Sequence, residues 1–252
     1  MLPYLANTDY YRYNGITLPE IGADNGVRFR HLLFSYYYFR NIPPDRISKI
    51  LDNLDTCLID SGGFTLKKTK EGKEWNQEYF DGYLRFIEEW ADHPKIRGFF
   101  EYDAISDLGQ RTLVHDEMNK RSEGKTIPIW TVLDSPKYFV KLSKEYDIVS
   151  YSQVFSKLPP DIIKSLAGTA HKHGAKLHAL GAVSKRVYHA GVDSGDSTSW
   201  AAVLQGRRNN LPALPFKKLL GDGFEKKSKD PGVPLSVAGA MTTLWRQEYE
   251  KE

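Results

Sequence analysis

The sequence predicts an α/β protein folded as one (β/α)8 barrel of the TIM type, and three observations point there. Short continuous apolar runs alternate with longer amphipathic stretches, the pattern of a parallel sheet covered by helices on its outer face. The 252 residues are about the size of one such barrel, with no room for a second full domain. Aspartates stand where strand-like runs give way to glycine and serine, and in a parallel barrel those strand ends carry the chemistry.

Taken in order, residues 1–27 read as an N-terminal extension, and the first strand is the apolar run from His31 to Tyr36. An amphipathic stretch from Pro44 to Leu54 gives a helix, and Thr56 to Ile59 the next strand. The same alternation gives helices over Trp75 to Ala91, Leu108 to Arg121, Pro136 to Tyr146 and Pro160 to His173. Strands fall at Gly98 to Tyr102, Pro128 to Val132, Asp147 to Tyr151, Lys176 to Leu180 and Ala190 to Asp193, making seven. The eighth is open. It forms after Gly206 or the barrel closes imperfectly, because Leu211-Pro212-Ala213-Leu214-Pro215 is broken by two prolines and makes a poor central strand. Gly221 to Val233 reads as a loop and Val237 to Glu250 as a final helix within a C-terminal segment, 206–252. The tyrosine clusters Tyr10-Tyr11 and Tyr36-Tyr37-Tyr38 read as packing residues.

Composition narrows the function classes. No apolar stretch approaches the roughly 20 residues that cross a bilayer, and Met1-Leu2-Pro3-Tyr4 has no signal-peptide character, so a cytoplasmic protein is expected. The single cysteine, Cys57, excludes an intrachain disulfide and a multi-cysteine zinc centre, and its apolar strand suits an inert core thiol. A net charge of +3 is too small to argue for nucleic acid by itself. The distribution says more: Lys67, Lys68, Lys70 and Lys73 follow one aspartate-bearing segment, and Arg207 and Arg208 follow another, where they can pair with a phosphate backbone. Solvated loop charge beside Glu71 and Glu74 is the alternative for any one lysine.

Two segments carry the chemistry: Asp60-Ser61-Gly62-Gly63-Phe64 and Gly191-Val192-Asp193-Ser194-Gly195-Asp196 with its continuation to Trp200. Singly, each is good turn or helix-capping chemistry. As a pair, with Glu101-Tyr102-Asp103 between them, they give two carboxylates that can divide nucleophilic attack from proton transfer.

The run Leu58 to Phe64 resembles the Asp-Ser-Gly-Gly-aromatic motif of the tRNA-guanine transglycosylase superfamily, whose members exchange guanine for a 7-deazaguanine. Gly191 to Asp196 resembles that family's later Gly-Val-Asp-x-x-Asp segment, and the Asp196 to Trp200 ending resembles the branch that acts on DNA in phages and bacterial DNA-modification clusters. The resemblance implies Asp196 as nucleophile on the anomeric carbon, Asp60 as acid/base, and Phe64 stacking on the base with Leu180, before Gly181, covering its other face. It implies a turn of Ser61, Gly62 and Gly63 against the base, and Asp103 reading the guanine edge, with Glu101 as competing reader on the same strand face. Ser152 and Gln153 stand where the family has two glycines, so that part of the pocket differs. The family's zinc subdomain, held by cysteines, has no counterpart, and no metal or cofactor is expected.

The expected partners are DNA and a 7-deazaguanine base such as preQ0, with tRNA as the alternative substrate; the oligomeric state is open. Two other classes compete, a nucleic-acid-binding barrel without catalysis and a metal-dependent hydrolase using His171-Lys172-His173. The latter pair ends a helix before Gly174, where histidines commonly face solvent. Asp193 reads as a turn anchor.

Overall fold

The computed structural model describes residues 1–198, apart from 7, 11, 14, 70–75, 103–107 and 153–157, together with residue 249. Nine strands form one parallel sheet: β1 (Leu2–Ala6), β4 (His31–Ser35), β5 (Thr56–Asp60), β6 (Ile96–Phe100), β7 (Thr126–Ile127), β8 (Ile129–Trp130), β9 (Ile148–Ser152), β10 (Lys176–Leu180) and β11 (Ser194–Ser197). A small antiparallel pair, β2 (Arg12–Tyr13) and β3 (Ile16–Thr17), leads into α1 (Leu18–Asp24). The helices that follow are α2 (Tyr36–Phe39), α3 (Pro44–Asp52), α4 (Gly63–Leu66), α5 (Gln77–Trp90), α6 (Leu108–Arg121), α7 (Pro136–Glu145), α8 (Pro160–Lys172) and α9 (Lys185–His189).

The sheet order is β7-β6-β5-β4-β1-β11-β10-β9-β8, and its two outer members are consecutive in sequence, parted by Pro128 alone. Proline has no N–H to give the ladder, so the chain changes partners there. Ile127 pairs with β6, Ile129 with β9, and the Pro128 carbonyl accepts from the Ser150 amide at 2.9 Å. The segment 126–130 thus works as one bent strand that joins both edges, and the fold is a TIM-type barrel of eight staves.

The eighth stave is β1, inside what reads from the sequence as an N-terminal extension. It sits between β4 and β11, with Leu5 opposite Leu32 and Tyr4 opposite Asp196. It carries Pro3 and runs straight into a polar, tyrosine-rich stretch, a composition that reads as an irregular terminus, so the barrel's closing strand hides in the sequence. The last strand also moves, to Ser194–Ser197 instead of Ala190–Asp193. Gly191, at φ 85°, ends the turn after α9, and Asp193 accepts the Leu177 amide at 2.8 Å, anchoring the strand's entry. The five long helices fall where the periodicity places them, to within two residues at most ends. The strand expected after Gly206 and the helix expected from Val237 lie outside the described residues, Tyr249 excepted.

Strand alternation sorts the side chains. Leu5, Leu32, Phe34, Cys57, Ile59 and Phe99 face the helix layer, whereas Tyr4, Ala6, Leu33, Leu58, Phe100, Ile127 and Ile129 fill the barrel. Each of the fully buried aliphatic or aromatic side chains contributes about 1.5–3 kcal/mol. Burial also pushes the Cys57 thiol well above its usual range, which keeps it inert. Among the described residues no helix is long and apolar enough to cross a membrane.

Candidate active site

The barrel interior carries a connected polar layer. The Thr56 hydroxyl lies 2.7 Å from His31 Nδ1 and 3.1 Å from the Tyr4 hydroxyl. The Tyr4 ring meets the His178 ring edge-on at 6.1 Å, and Phe100 meets it at 5.1 Å. Burial and the neighbouring Thr56 act oppositely on the Tyr4 phenol, and burial prevails, pushing it up to about 12. His178 is fully buried and spans two side chains of β11, with Nδ1 2.9 Å from Ser194 Oγ and Nε2 3.2 Å from Asp196 Oδ1.

Asp196 is 5% exposed and points into the barrel beside Tyr4. The Gly181 amide donates to the same Oδ1 at 2.8 Å. A carboxylate only accepts, so His178 Nε2 donates to it, while Nδ1 shares a hydrogen bond with the Ser194 hydroxyl, which can donate or accept. Both donors converge on one oxygen of Asp196. The Gly181 turn can come this close because β11 has Gly195 at the crossing, where a Cβ would lie 2.3 Å from the Ala182 carbonyl oxygen. Leu180, which ends β10, packs against the interior cluster beneath this turn.

Asp60 ends β5, at the same carboxyl-terminal rim. Its Oδ2 accepts from the Gly62 amide at 3.0 Å, and Ser61 Oγ accepts from the Gly63 amide at 3.3 Å, so the four residues make successive side-chain-capped turns. Gly62 sits at φ 75° and a Cβ there would lie 2.6 Å from Tyr37 Cβ and 2.8 Å from both Ser35 Oγ and the Tyr79 hydroxyl. Only glycine fits. Tyr79 fastens the turn from outside by donating to the Ser61 carbonyl at 2.6 Å. Beyond it, Tyr36, Tyr79, Arg40 and Arg85 border a cavity of about 480 Å³.

Phe64 is 46% exposed on α4, so it is an accessible ring and not a core residue. Lys68 Nζ lies 3.9 Å from its centroid, so this lysine covers an aromatic face; Lys67 stands beside it at the end of the same short helix. Asp103, Gln153, Lys70, Arg207 and Arg208 lie outside the described residues.

Glu101 is not a base reader. It follows the inward-facing Phe100, so its side chain turns to the helix layer, where it pairs with Arg111 at 3.0 Å, bonds to His115 and accepts the Ile129 amide at 2.9 Å. Burial alone would raise this carboxyl; His115 and Arg111 outweigh it and hold it below its usual value. Arg111 also binds Asp134 at 2.9 Å, so the cluster ties α6 to the 129–134 segment. Asp193 is the anchor expected, bonded to His171 at 2.8 Å, which engages that histidine in the helix–strand contact.

Three side chains at the rim escape a motif-based reading: Thr8 and Asp9, just after β1, and Ser35, at the end of β4. Asp9 is fully buried; Oδ2 accepts the Ser35 amide at 2.7 Å, while Oδ1, Thr8 Oγ1 and Ser35 Oγ have no hydrogen-bond partner among the described residues. Desolvation outweighs the Ser35 amide, Asp9's own amide, Arg12 and the Tyr10 amide, and raises the carboxyl to about 7. The only sequence signal was a polar cluster after a short apolar run, which reads as a loop.

No protein-family model matches the chain, and no curated protein matches it. Solved structures do resemble it. A candidate fructose-1,6-biphosphate aldolase from Coccidioides immitis superposes with TM-score 0.53 at 9% identity, over 97% of this chain and 89% of that one. The N-terminal domain of a candidate aldolase from Bacteroides vulgatus gives TM-score 0.50 at 14% identity, over 98% and 88%. At these identities the likeness is one of fold, and it places the chain among TIM-type barrels.

Proposed function

We propose that the protein is an enzyme, a base-exchange glycosyltransferase that replaces guanine in DNA with a 7-deazaguanine. The observation that carries the reading is the joint placement of Asp60 and Asp196, borne by two separate motifs, at the carboxyl-terminal rim of one barrel, with Asp196 buried and held by one oxygen. The motif resemblance supplies the reaction class and the barrel supplies the setting.

Asp196 Oδ2 attacks the anomeric carbon as the C1′–N9 bond breaks and its electron pair passes to the leaving guanine, which takes a proton from Asp60. The ester bond to Asp196 conserves the glycosidic bond energy. The incoming 7-deazaguanine gives its N9 proton to Asp60, N9 attacks C1′, and the Asp196 carboxylate leaves, with net retention. Phe64 stacks on the base once Lys68 swings from the ring to a phosphate, and Arg40 and Arg85, which border the cavity beyond Tyr79, are cations available to the backbone.

The test is incorporation of labelled guanine and labelled preQ0 into duplex DNA and into tRNA side by side. Labelling of DNA that is lost in Asp196→Ala and slowed about 10²–10⁴-fold in Asp60→Asn supports the assignment. Labelling of tRNA alone moves the substrate to tRNA, and no exchange with either overturns it.

A further inference from the structure

A buried carboxyl with an unmatched oxygen is rare, because an unpaired polar atom in the interior costs about 1–3 kcal/mol. Here three oxygens with no partner among the described residues stand together. Thr8 and Asp9 are adjacent in the chain, and Asp9 holds the Ser35 amide. Ser35 in turn is paired in register with Asp60, and its hydroxyl faces the Gly62 backbone that Asp60 caps. The sheet order β5-β4-β1-β11 therefore sets this cluster on the rim between Asp60 and Asp196.

We propose that Thr8, Asp9 and Ser35 form a polar subsite for the heterocyclic base, in which Asp9 donates a hydrogen bond from Oδ1 to a ring carbonyl or ring nitrogen of a purine or deazapurine. The argument rests on which oxygen is free. Oδ2 already accepts an N–H, so it is the carbonyl oxygen, and a proton on the acid sits on Oδ1, which has no acceptor among the described residues. A neutral acid is suited to the oxygen of a lactam edge, which guanine and 7-deazaguanine share and adenine lacks; adenine presents an amino donor there. The hydroxyls of Thr8 and Ser35 can donate or accept around the same ring edge. The protonated form persists up to about neutrality because burial dominates the cation that faces it, Arg12, whose Nε bonds to the Asp9 carbonyl at 3.5 Å; among the described residues the other groups acting on it are the Ser35, Asp9 and Tyr10 amides and the Tyr38 phenol.

This subsite belongs to the base-exchange reading, and two measurements separate the fates of the two. First, carboxyl ¹³C resonances of aspartate-labelled full-length protein are followed from pH 4 to 9, the Asp9 signal being the one missing in Asp9→Asn. The expected result is a titration near neutrality that moves upward when guanine is added; ionisation in the ordinary carboxylate range overturns the subsite whatever the enzyme does. Second, the affinities for guanine, preQ0 and adenine are compared in wild type, Asp9→Asn and Ser35→Ala across the same range. Asn keeps an acceptor for the Ser35 amide, so a purely structural Asp9 predicts unchanged binding. The subsite predicts wild-type affinity for guanine that falls at least tenfold between pH 6 and 8.5, and a flat profile in Asp9→Asn. Equal profiles in the two proteins overturn it. Absence of exchange in the labelling assay, with the pH-dependent guanine binding intact, would remove the transferase reading and leave the subsite standing.

Discussion

The rim of this barrel separates carboxyls by their surroundings: Asp196 receives two donors on one oxygen, Asp60 caps its own turn, and Asp9 is desolvated with one oxygen unmatched among the described residues. Asp9 also leaves a mark on stability. Its pKa is about 7 in the fold against 3.8 as a free side chain, so between those values the folded state holds a proton that the unfolded chain has released. Stability contributed by the neutral acid is therefore full below about pH 4, declines as pH rises, and is level again above pH 7, a change of about 4 kcal/mol at most. Asp9→Asn should remove that decline, and urea midpoints of the two proteins against pH should diverge above pH 5; parallel curves would contradict the burial argument. His178 permits a second prediction. His178→Phe keeps a ring between Tyr4 and Phe100 but takes the N–H from Asp196, so kcat for exchange should fall about 10–100-fold with KM nearly unchanged, the worth of one hydrogen bond to a charged group. A shift in KM alone would make the histidine a packing residue.

Among the elements, β10 and β11 show how backbone spacing produces a site. Gly195 lets the turn after Leu180 lie against β11, which aims the Gly181 amide at Asp196. Gly195→Ala should push that turn away, cost about 1–3 kcal/mol by overpacking, and lower exchange in proportion to the lost contact. Thermal unfolding read beside kcat checks it: a stable, fully active alanine variant would show that the turn relaxes without consequence. The same pair of strands shows what the sequence carries and what it conceals. The rim positions of Asp60 and Asp196 are legible because each lies beside glycine and serine just after an apolar run, a local signal. His178 is not, since its role arises from the register that sets it opposite Ser194, and register is a relation between segments. Glu101 misleads for the matching reason. Counting by twos groups it with Asp103, but its partners Arg111 and His115 arrive from a helix that no strand pattern announces.

Over the whole molecule, the alternation of apolar and amphipathic runs declared the class, the long helices and six of the staves, the one through Ile129 and Trp130 included, while β1 lay unread in residues 1–27 and β11 began after the run expected for it. β1 is bonded on both sides, to β4 and to β11, so it is a central stave. Leu5→Pro removes an N–H and buries a misfit there, and it should abolish cooperative unfolding in near-ultraviolet circular dichroism, whereas an appendage would tolerate it. The pairing of Tyr4 with Asp196 also spans about 190 residues of chain. Such a contact forms late, since loop closure must be met before it gives anything back. During synthesis the first strand therefore leaves the ribosome long before its partner exists. Until then both β1 and β10 present open edges to other chains, and Asp196 cannot acquire its His178 and Gly181 donors in a closed barrel. The setting of Asp196 is completed only as the ring closes, so a half-made chain holds the first motif without the second one's buried carboxyl in place.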